Sequence, residues 1–194
     1  MISVPPRSFS PESGKWYSVG IHPWDTVQAI EELDDELLRQ CARHPQVLAI
    51  GETGLDSRRG ADMSVQREVF ARHLSLAASV GKPVVIHSVK TAQEILAQRR
   101  SMGLTAVPLA IHGMRANERV ARLLLDAGCY LSYGIRFNPA ALLATPLDRL
   151  LIETDDAPST IAEAAALVAR TLSLDTEELI GLMNLNARRF LHMP

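Results

Sequence analysis

The sequence predicts an α/β fold, a parallel sheet or barrel whose strand ends carry the functional groups. Short apolar runs recur along the chain, and each is followed by a segment with apolar residues at helical spacing. Four of these runs lead into a side chain of the kind that binds metals: Glu52, His87, His112 and Asp155. Reactive residues of parallel α/β folds collect at the C-terminal ends of the strands, so we expect these four side chains to converge on one rim.

Size and composition favour one compact domain. The chain has 194 residues, 47% of them hydrophobic, which predicts a single domain over 1–194 with an irregular, proline- and serine-rich segment at 1–15. The formal net charge is −2 without a block of like charges, which argues against a protein that holds long nucleic acid by its backbone. No apolar run approaches the roughly 18 residues of a membrane span. With two widely spaced cysteines, Cys41 and Cys129, we expect a cytoplasmic protein with free, buried thiols and no membrane partner.

Six strands are expected, each followed by a helix-like segment, which is about two strand units short of a full eight-stranded barrel. Residues 2–4 are a weaker candidate for a further strand. A helix capped by Asp25 or Thr26 is predicted to follow the first strand, with Val27, Ile30, Leu33, Leu37 and Cys41 as its apolar stripe. Later helices are marked by Asn117 as an N-cap, by Asp175 and Glu178 at capping-box spacing, and by Gly81 and Gly128 as terminators. The six predicted strands are 16–21, 47–50, 83–86, 108–111, 129–133 and 150–153.

The second of these runs, 47–50, reads as a strand buried on both faces that ends at Glu52. Gly51 and Gly54 flank the carboxylate and leave room for the backbone to turn and to approach a ligand closely. We therefore place Glu52 at the mouth of this strand.

The types of side chain at the strand ends indicate a divalent metal. Carboxylates and imidazoles suit Zn²⁺, Mn²⁺ or a related ion, and a catalytic site keeps one position open for water. The alternative is that His87 and His112 are core histidines satisfied by backbone groups. The joint occurrence of four ligand-type residues in register favours the metal site.

Other polar residues follow strand ends. His22 precedes Pro23 and has either a structural role or a substrate contact. Four loop arginines could clamp phosphate oxygens or be merely solvated: Arg58, Arg59, Arg115 and Arg136. The remaining histidines, His44, His73 and His192, are expected to be structural or solvated.

Five ordered motifs resemble the TatD family of metal-dependent hydrolases. They are Gly20-Ile21-His22-Pro23, the run from Ile50 to Asp56, Ile86-His87, Ile111-His112-Gly113 and Glu153-Thr154-Asp155. Gln66 with Phe70, Leu74 and Ala77, and Asn186 with Phe190, also resemble family signatures. The resemblance covers the chain from about Tyr17 to its end.

The resemblance implies a TIM-barrel metallohydrolase that cleaves phosphoester bonds, often as a deoxyribonuclease. It implies that the position of Glu52 bridges two metals, that His87 and His112 complete one metal site, and that Asp155 serves the other and acts in catalysis with Glu52. The position of His22 would line the substrate pocket. The implied partners are a phosphoester substrate, short DNA or nucleotides; no protein partner is predicted.

The sequence departs from the family at its N-terminal end. Members open with a strand ending in His-x-His, and no His-x-His occurs among these 194 residues. We expect the chain as given to be an incomplete barrel that binds one divalent ion (Zn²⁺, Mn²⁺ or Mg²⁺) rather than two and is weak or inactive as a hydrolase. Either residues precede Met1 in the full protein, which we favour, or the chain is a degenerate, non-catalytic metal-binding or scaffold protein of the same fold. Met114 stands where the family commonly has an aromatic residue.

Overall fold

The computed structural model describes residues 1–26 and 35–193, which form two compact units, Met1–Leu109 and Ala110–Pro194. Seven strands and seven α-helices are present in the described part of the chain, and the strand pairings within each unit are parallel. The predicted α/β class with parallel strands is therefore confirmed. The single domain over 1–194 stays a prediction.

The first unit contains four strands in chain order: β1 (Ile2–Val4), β2 (Tyr17–Val19), β3 (Val47–Asp56) and β4 (Val84–Val89). Strand β1 and a 3-10 turn at Pro6–Ser8 give the segment 1–15 more regular structure than predicted, because Ile2–Val4 pairs with Tyr17–Val19. Local composition, dominated here by proline and serine, carries no information about that long-range pairing.

Strand β3 corrects the predicted position of Glu52. The strand continues through Asp56, since residues Thr53–Asp56 pair with Ile86–Val89 of β4, and the register shifts between Ile50 and Thr53. Glu52 therefore lies at an irregularity inside the strand rather than at its mouth. Such a bulge re-aims a side chain without ending the sheet.

The glycines beside Glu52 serve a close approach between strands. A Cβ on Gly51 would collide with the carbonyl oxygen of Val85, and one on Gly54 would collide with that of His87. Both glycines have positive φ, 128° and 142°, a conformation that side chains oppose. The sequence suggested that Gly51 and Gly54 leave room for a ligand, but in the structure they leave room for the backbone of β4. Strand β3 therefore lies close to His87.

Three helices belong to the first unit: α1 (Asp35–Arg43), α2 (Met63–Val80) and α3 (Ala92–Ser101). Of the helix predicted before β3, the cap residues Asp25 and Thr26 lie at the end of the 3-10 turn Pro23–Asp25, and Leu37 and Cys41 lie in α1; the stretch 27–34 is outside the described residues. Helix α2 packs on β3, burying Phe70 and Leu74 against a core that includes Ile50, Leu55 and Ile86, all fully buried. Gly81 ends α2 with φ 66°, as predicted.

The second unit is built on β5 (Leu109–Ile111), which begins at the last residue of the first unit, β6 (Tyr130–Tyr133) and β7 (Leu150–Ile152). Its helices are α4 (Glu118–Asp126), α5 (Pro139–Leu143), α6 (Ile161–Leu172) and α7 (Thr176–Phe190). Asn117 and Asp175 cap α4 and α7 as predicted, and Thr160 with Glu163 adds a capping box to α6 that was not foreseen. The core of this unit includes Leu124, Leu131, Leu150 and Val168.

Cys41 and Cys129 are buried thiols that form no disulfide, as predicted. Among the described residues no helix has the length and apolar character needed to cross a membrane.

Candidate metal centre

In the first unit, His22, Glu52 and His87 bring their ligand atoms together. Glu52 Oε1 lies 3.2 Å from His22 Nε2 and 3.2 Å from His87 Nδ1, and the two ring nitrogens are 3.1 Å apart. The three side chains are largely but not completely buried, with exposures of 20%, 19% and 11% for His22, Glu52 and His87. Strand β3 supplies Glu52, strand β4 supplies His87, and the turn after β2 supplies His22.

Asp56, the last residue of β3, holds His87 from the other side. Its carboxylate oxygen Oδ2 is 3.2 Å from His87 Nε2 and accepts a hydrogen bond from Trp24 Nε1 at 2.7 Å. Its Oδ1 accepts from the backbone N–H of Arg58 at 2.8 Å. Burial raises the pKa of the Asp56 carboxyl, but the hydrogen bonds from Trp24, Arg58 and His87 outweigh burial and the net pKa lies below its ordinary value.

This contact fixes which nitrogen of His87 is available. An ionised carboxylate only accepts, so Nε2 must carry the proton that it shares with Asp56. In the neutral ring Nδ1 then keeps its lone pair, and Nδ1 is the atom that faces Glu52. A metal-binding histidine held by a carboxylate in this way is a recurring arrangement in metalloproteins. Glu52 and His87 therefore fit a divalent cation.

His22 is held in the opposite sense. Its Nδ1 accepts a hydrogen bond from the backbone N–H of Trp24 at 3.2 Å, which makes it the N-cap of the 3-10 turn Pro23–Asp25. In the neutral ring Nε2 then carries the proton and points toward Glu52 and His87. His22 is therefore a hydrogen-bond donor to the group of ligand atoms, and its proximity alone does not make it a ligand.

The second unit contains a separate group formed by His112, Glu153 and Asp155, whose ligand atoms lie within 4.8 Å of one another. Glu153 Oε1 accepts a hydrogen bond from the backbone N–H of Gly113 at 2.6 Å and lies 3.3 Å from His112 Nδ1. By the same reasoning Glu153 favours the proton on His112 Nδ1 and leaves the lone pair on Nε2. His112, Glu153 and Asp155 are therefore a second group of side chains that could hold a divalent cation.

Asp155 is the more exposed carboxylate of this group. It has a positive φ of 51°, three residues beyond the end of β7. Asp155 Oδ2 lies 3.5 Å from Arg115 Nη2, so a residue predicted to bind substrate is paired with the predicted catalytic carboxylate. Met114, two positions after His112, is buried.

The four predicted ligands fall into two pairs. Glu52 and His87 come together in one unit, and His112 and Asp155 come together in the other; the convergence of all four on one rim stays a prediction. Arg58, Arg59 and Arg136 are exposed. His73 is fully buried, with Nε2 accepting from the backbone of Ile21 and Nδ1 donating to that of Val69, a structural role as expected.

Sequence reasoning did not single out Asp56, Glu153 or Trp24. Asp56 and Glu153 were available as signals, because each is a carboxylate that follows an apolar run at the end of a strand. Trp24 carries no such signal, since its role depends on a contact with Asp56, 32 residues away.

Two groups of ligand-type side chains on a parallel α/β scaffold indicate the class of proteins that bind a divalent metal. A family model described as TatD related DNase matches residues 10–192, nearly the whole chain. The chain therefore belongs to the TatD related DNase family, and the predicted class of metal-dependent hydrolase acting on ester bonds is confirmed at that level.

Individual relatives and structures agree with this membership. The chain is 30% identical over 193 residues to the uncharacterized metal-dependent hydrolase YabD of Bacillus subtilis, covering 89% of this chain and 75% of YabD. It is 34% identical over 154 residues to a protein of Cronobacter turicensis named 3'-5' ssDNA/RNA exonuclease TatD, covering 74% of this chain and 57% of that protein.

Among solved structures, the TatD homolog YJJV of Escherichia coli superimposes with a TM-score of 0.83 at 21% identity, over 99% of this chain and 86% of that one. A TatD family hydrolase of Entamoeba histolytica gives a TM-score of 0.80 at 17% identity, over 90% of this chain and 74% of that one. At these identities the structures show the fold, which matches the TIM-barrel-like expectation.

Proposed function

We propose that the protein hydrolyses phosphodiester bonds at the ends of short single-stranded nucleic acids with a divalent metal ion. The observation that carries the proposal is the pattern within each unit: a histidine whose proton is held by a carboxylate, beside a second carboxylate. His87 has Asp56 and Glu52, and His112 has Glu153 and Asp155. The exonuclease name of the Cronobacter turicensis relative and the net charge of −2 both support short single strands over long duplexes as the substrate.

The roles of the residues follow from their geometry. Glu52, His87, His112 and Asp155 are the proposed ligands, and Zn²⁺, Mn²⁺ and Mg²⁺ are the candidate ions. A bound divalent ion would polarise the phosphoester and lower the pKa of a bound water. Asp155 would accept the proton of the attacking water, with Arg115 orienting its carboxylate.

The proposed substrate contacts are hydrogen-bond donors that follow the strand ends. His22 presents its Nε2–H beside Glu52 and can donate to a phosphate oxygen. The exposed guanidinium groups of Arg58 and Arg136 are proposed as further phosphate contacts, since a guanidinium matches phosphate geometry.

The test is metal-dependent turnover of a labelled single-stranded oligonucleotide and of a simple phosphodiester, after the chain has been stripped of metal and resupplied with Mn²⁺, Mg²⁺ or Zn²⁺. In a form extended by an N-terminal strand ending in His-x-His, Asp155→Asn should lower the rate by about 10²- to 10³-fold, the usual cost of removing one preorganised electrostatic contact. Asp156→Asn is the matched control, because it removes the same charge from the exposed neighbouring residue. Equal rates for the two variants would contradict the role of Asp155.

The strength of the activity is part of the proposal. Each unit offers its own group of ligand-type side chains, but the given sequence lacks the His-x-His that would complete a second site, so we expect one tightly bound ion per chain and a low rate. Adding an N-terminal strand that ends in His-x-His should raise the rate by about 10²-fold or more. Two tightly held ions in elemental analysis of the given chain, or an unchanged rate in the extended form, would contradict this expectation.

A further inference from the structure

A tryptophan forms an exposed aromatic surface beside the first group of ligand atoms. Trp24 is 39% exposed, and its ring centroid lies 4.6 Å from that of His22 and 5.5 Å from that of His87. The ring is held in place because Nε1 donates to Asp56 at 2.7 Å and the backbone N–H donates to His22. An aromatic face this close to the proposed ligands is therefore presented in one orientation.

A guanidinium group covers part of the ring. The Arg59 Cζ atom lies 3.8 Å from the centroid of Trp24, within cation–π distance, and Arg59 is itself exposed. Arg59 belongs to the short loop that follows β3, the strand that contains Glu52 and ends at Asp56.

The loop that contains Arg59 is held in place by hydrogen bonds from helix α2. Gln66, almost fully buried on α2, donates from Nε2 to the carbonyls of Arg59 and Ala61 at 3.0 and 2.8 Å. Gly60 packs so tightly on the Trp24 turn that a Cβ there would collide with the carbonyl oxygen of Pro23. The loop therefore holds Arg59 over the Trp24 ring, and the two side chains form one surface.

We propose that Trp24 and Arg59 form a subsite for a nucleobase and its phosphate, beside the bond to be cleaved. The inference rests on the proposed function and adds the part of the substrate that is recognised. Arg59 lies over one face of the indole, so the base stacks on the opposite face while the guanidinium donates to phosphate oxygens. Neither contact reads the identity of the base, so the pair binds a nucleotide of any sequence. In a duplex each base is stacked on its neighbours, and only an unpaired base can lie on Trp24. The subsite therefore favours single-stranded ends.

Tryptophan fluorescence tests the subsite without metal or turnover. The chain has two tryptophans, so Trp16→Leu leaves Trp24 as the only reporter and Trp24→Leu leaves Trp16 as the only reporter. With metal removed by a chelator, dAMP should quench the Trp24 reporter in a saturable manner, whereas 2-deoxyribose 5-phosphate, which lacks the base, should leave it almost unquenched. The Trp16 reporter should not respond to dAMP.

Two substitutions at one position separate stacking from folding. Trp24→Phe and Trp24→Leu both lose the hydrogen bond to Asp56, but only phenylalanine retains an aromatic face. In calorimetric titration with dAMP, Trp24→Leu should bind about 5- to 150-fold more weakly than Trp24→Phe, the range found for a base stacked on an aromatic side chain. The two variants should bind 2-deoxyribose 5-phosphate equally.

Arg59→Ala keeps the Trp24 ring and its bond to Asp56, so it tests the subsite even if Trp24 variants fold poorly. It should weaken binding of both dAMP and 2-deoxyribose 5-phosphate about tenfold, as expected for a charge-assisted phosphate contact. Arg67→Ala, on the exposed face of α2, is the control with the same loss of charge and should bind both probes as wild type does.

The subsite is wrong if dAMP shows no saturable binding, if Trp24→Phe and Trp24→Leu bind dAMP equally, or if Arg59→Ala behaves as Arg67→Ala does. Because these measurements contain no turnover, they stand apart from the proposed function. Base-dependent binding without metal-dependent hydrolysis, even in a form extended by an N-terminal strand ending in His-x-His, would refute the proposed phosphodiester hydrolysis and keep the subsite. Hydrolysis without base-dependent binding would refute the subsite alone.

Discussion

Replacing Asp56 by asparagine should weaken metal binding, although Asp56 is not itself one of the proposed ligands. The carboxylate is 3% exposed at its side chain and holds three donors: Trp24 Nε1, the backbone N–H of Arg58 and His87 Nε2. Asparagine has nearly the same shape but only one accepting oxygen. If that oxygen faces Trp24 and His87, the amide nitrogen of the new side chain opposes the N–H of Arg58. If it faces Arg58, the amide opposes both other donors.

The magnitude follows from the bond to His87. A hydrogen bond to a charged group contributes about 1.5–3 kcal/mol and a neutral one about 0.5–1.5 kcal/mol. The substitution therefore weakens the hydrogen bond that orients His87 by roughly 1–1.5 kcal/mol. That corresponds to a loss of about tenfold in metal affinity, at the lower end of the 10- to 100-fold effects found for partners of metal-binding histidines. Asp56→Ala removes the acceptor entirely and should approach the upper end.

The assay is competition titration of Mn²⁺ or Zn²⁺ against a chelator, combined with ¹⁵N NMR of the imidazole nitrogens. In the metal-free wild type, His87 should carry its proton on Nε2, and Asp56→Ala should leave a mixture of the two tautomers. Asp62→Asn is the control, because it removes an exposed carboxylate six residues away that makes no capping hydrogen bond. A proton on Nδ1 of His87 in the wild type, or wild-type metal affinity in Asp56→Ala, would refute the reasoning.

Three further substitutions test the scaffold and the second group. Gly54 has φ 142°, and Gly54→Ala forces a Cβ into the carbonyl of His87, so it should lower the free energy of unfolding in urea by about 3 kcal/mol or more. Gly81 has φ 66° and open space around it, so Gly81→Ala should lower the same free energy by only about 1–2 kcal/mol. Equal losses would contradict the close approach of β3 and β4. Burial raises the pKa of Tyr133 to about 12, so the folded protein retains the phenol proton that the unfolded chain releases near pH 10. The free energy of unfolding should therefore fall by up to about 2.7 kcal/mol as pH rises from 10 to 12. Tyr133→Phe should remove this slope in pH-dependent denaturation, and an unchanged slope would refute the assignment. Glu153→Gln should weaken metal binding about tenfold in the same chelator competition, because the new side chain weakens the contact that holds the proton of His112. The control Glu177→Gln, at an exposed position, should leave metal affinity unchanged. Equal affinities for the two variants would show that Glu153 does not orient the ring.

The parallel α/β class could be predicted because each strand and helix carries a local periodic pattern, and the pattern repeats. Caps such as Asn117 and Asp175 were also predictable, since the capping side chain binds backbone groups two or three residues away. Strand β1 was only a weak candidate, because its three residues depend on pairing with β2. The end of β3 was misplaced for the same reason: pairing with β4 extends it through Asp56.

The sequence by itself determined the family and the ligand-type residues Glu52, His87, His112 and Asp155, because strand ends are marked by where apolar runs stop. Only the tertiary structure decided how those side chains are held. The nitrogen that His87 presents depends on Asp56, and the position of Asp56 depends on Trp24 and on the register of β3 against β4. A tautomer is set by a contact of a few ångströms between residues distant in the chain, and such a contact leaves no periodic pattern in the sequence.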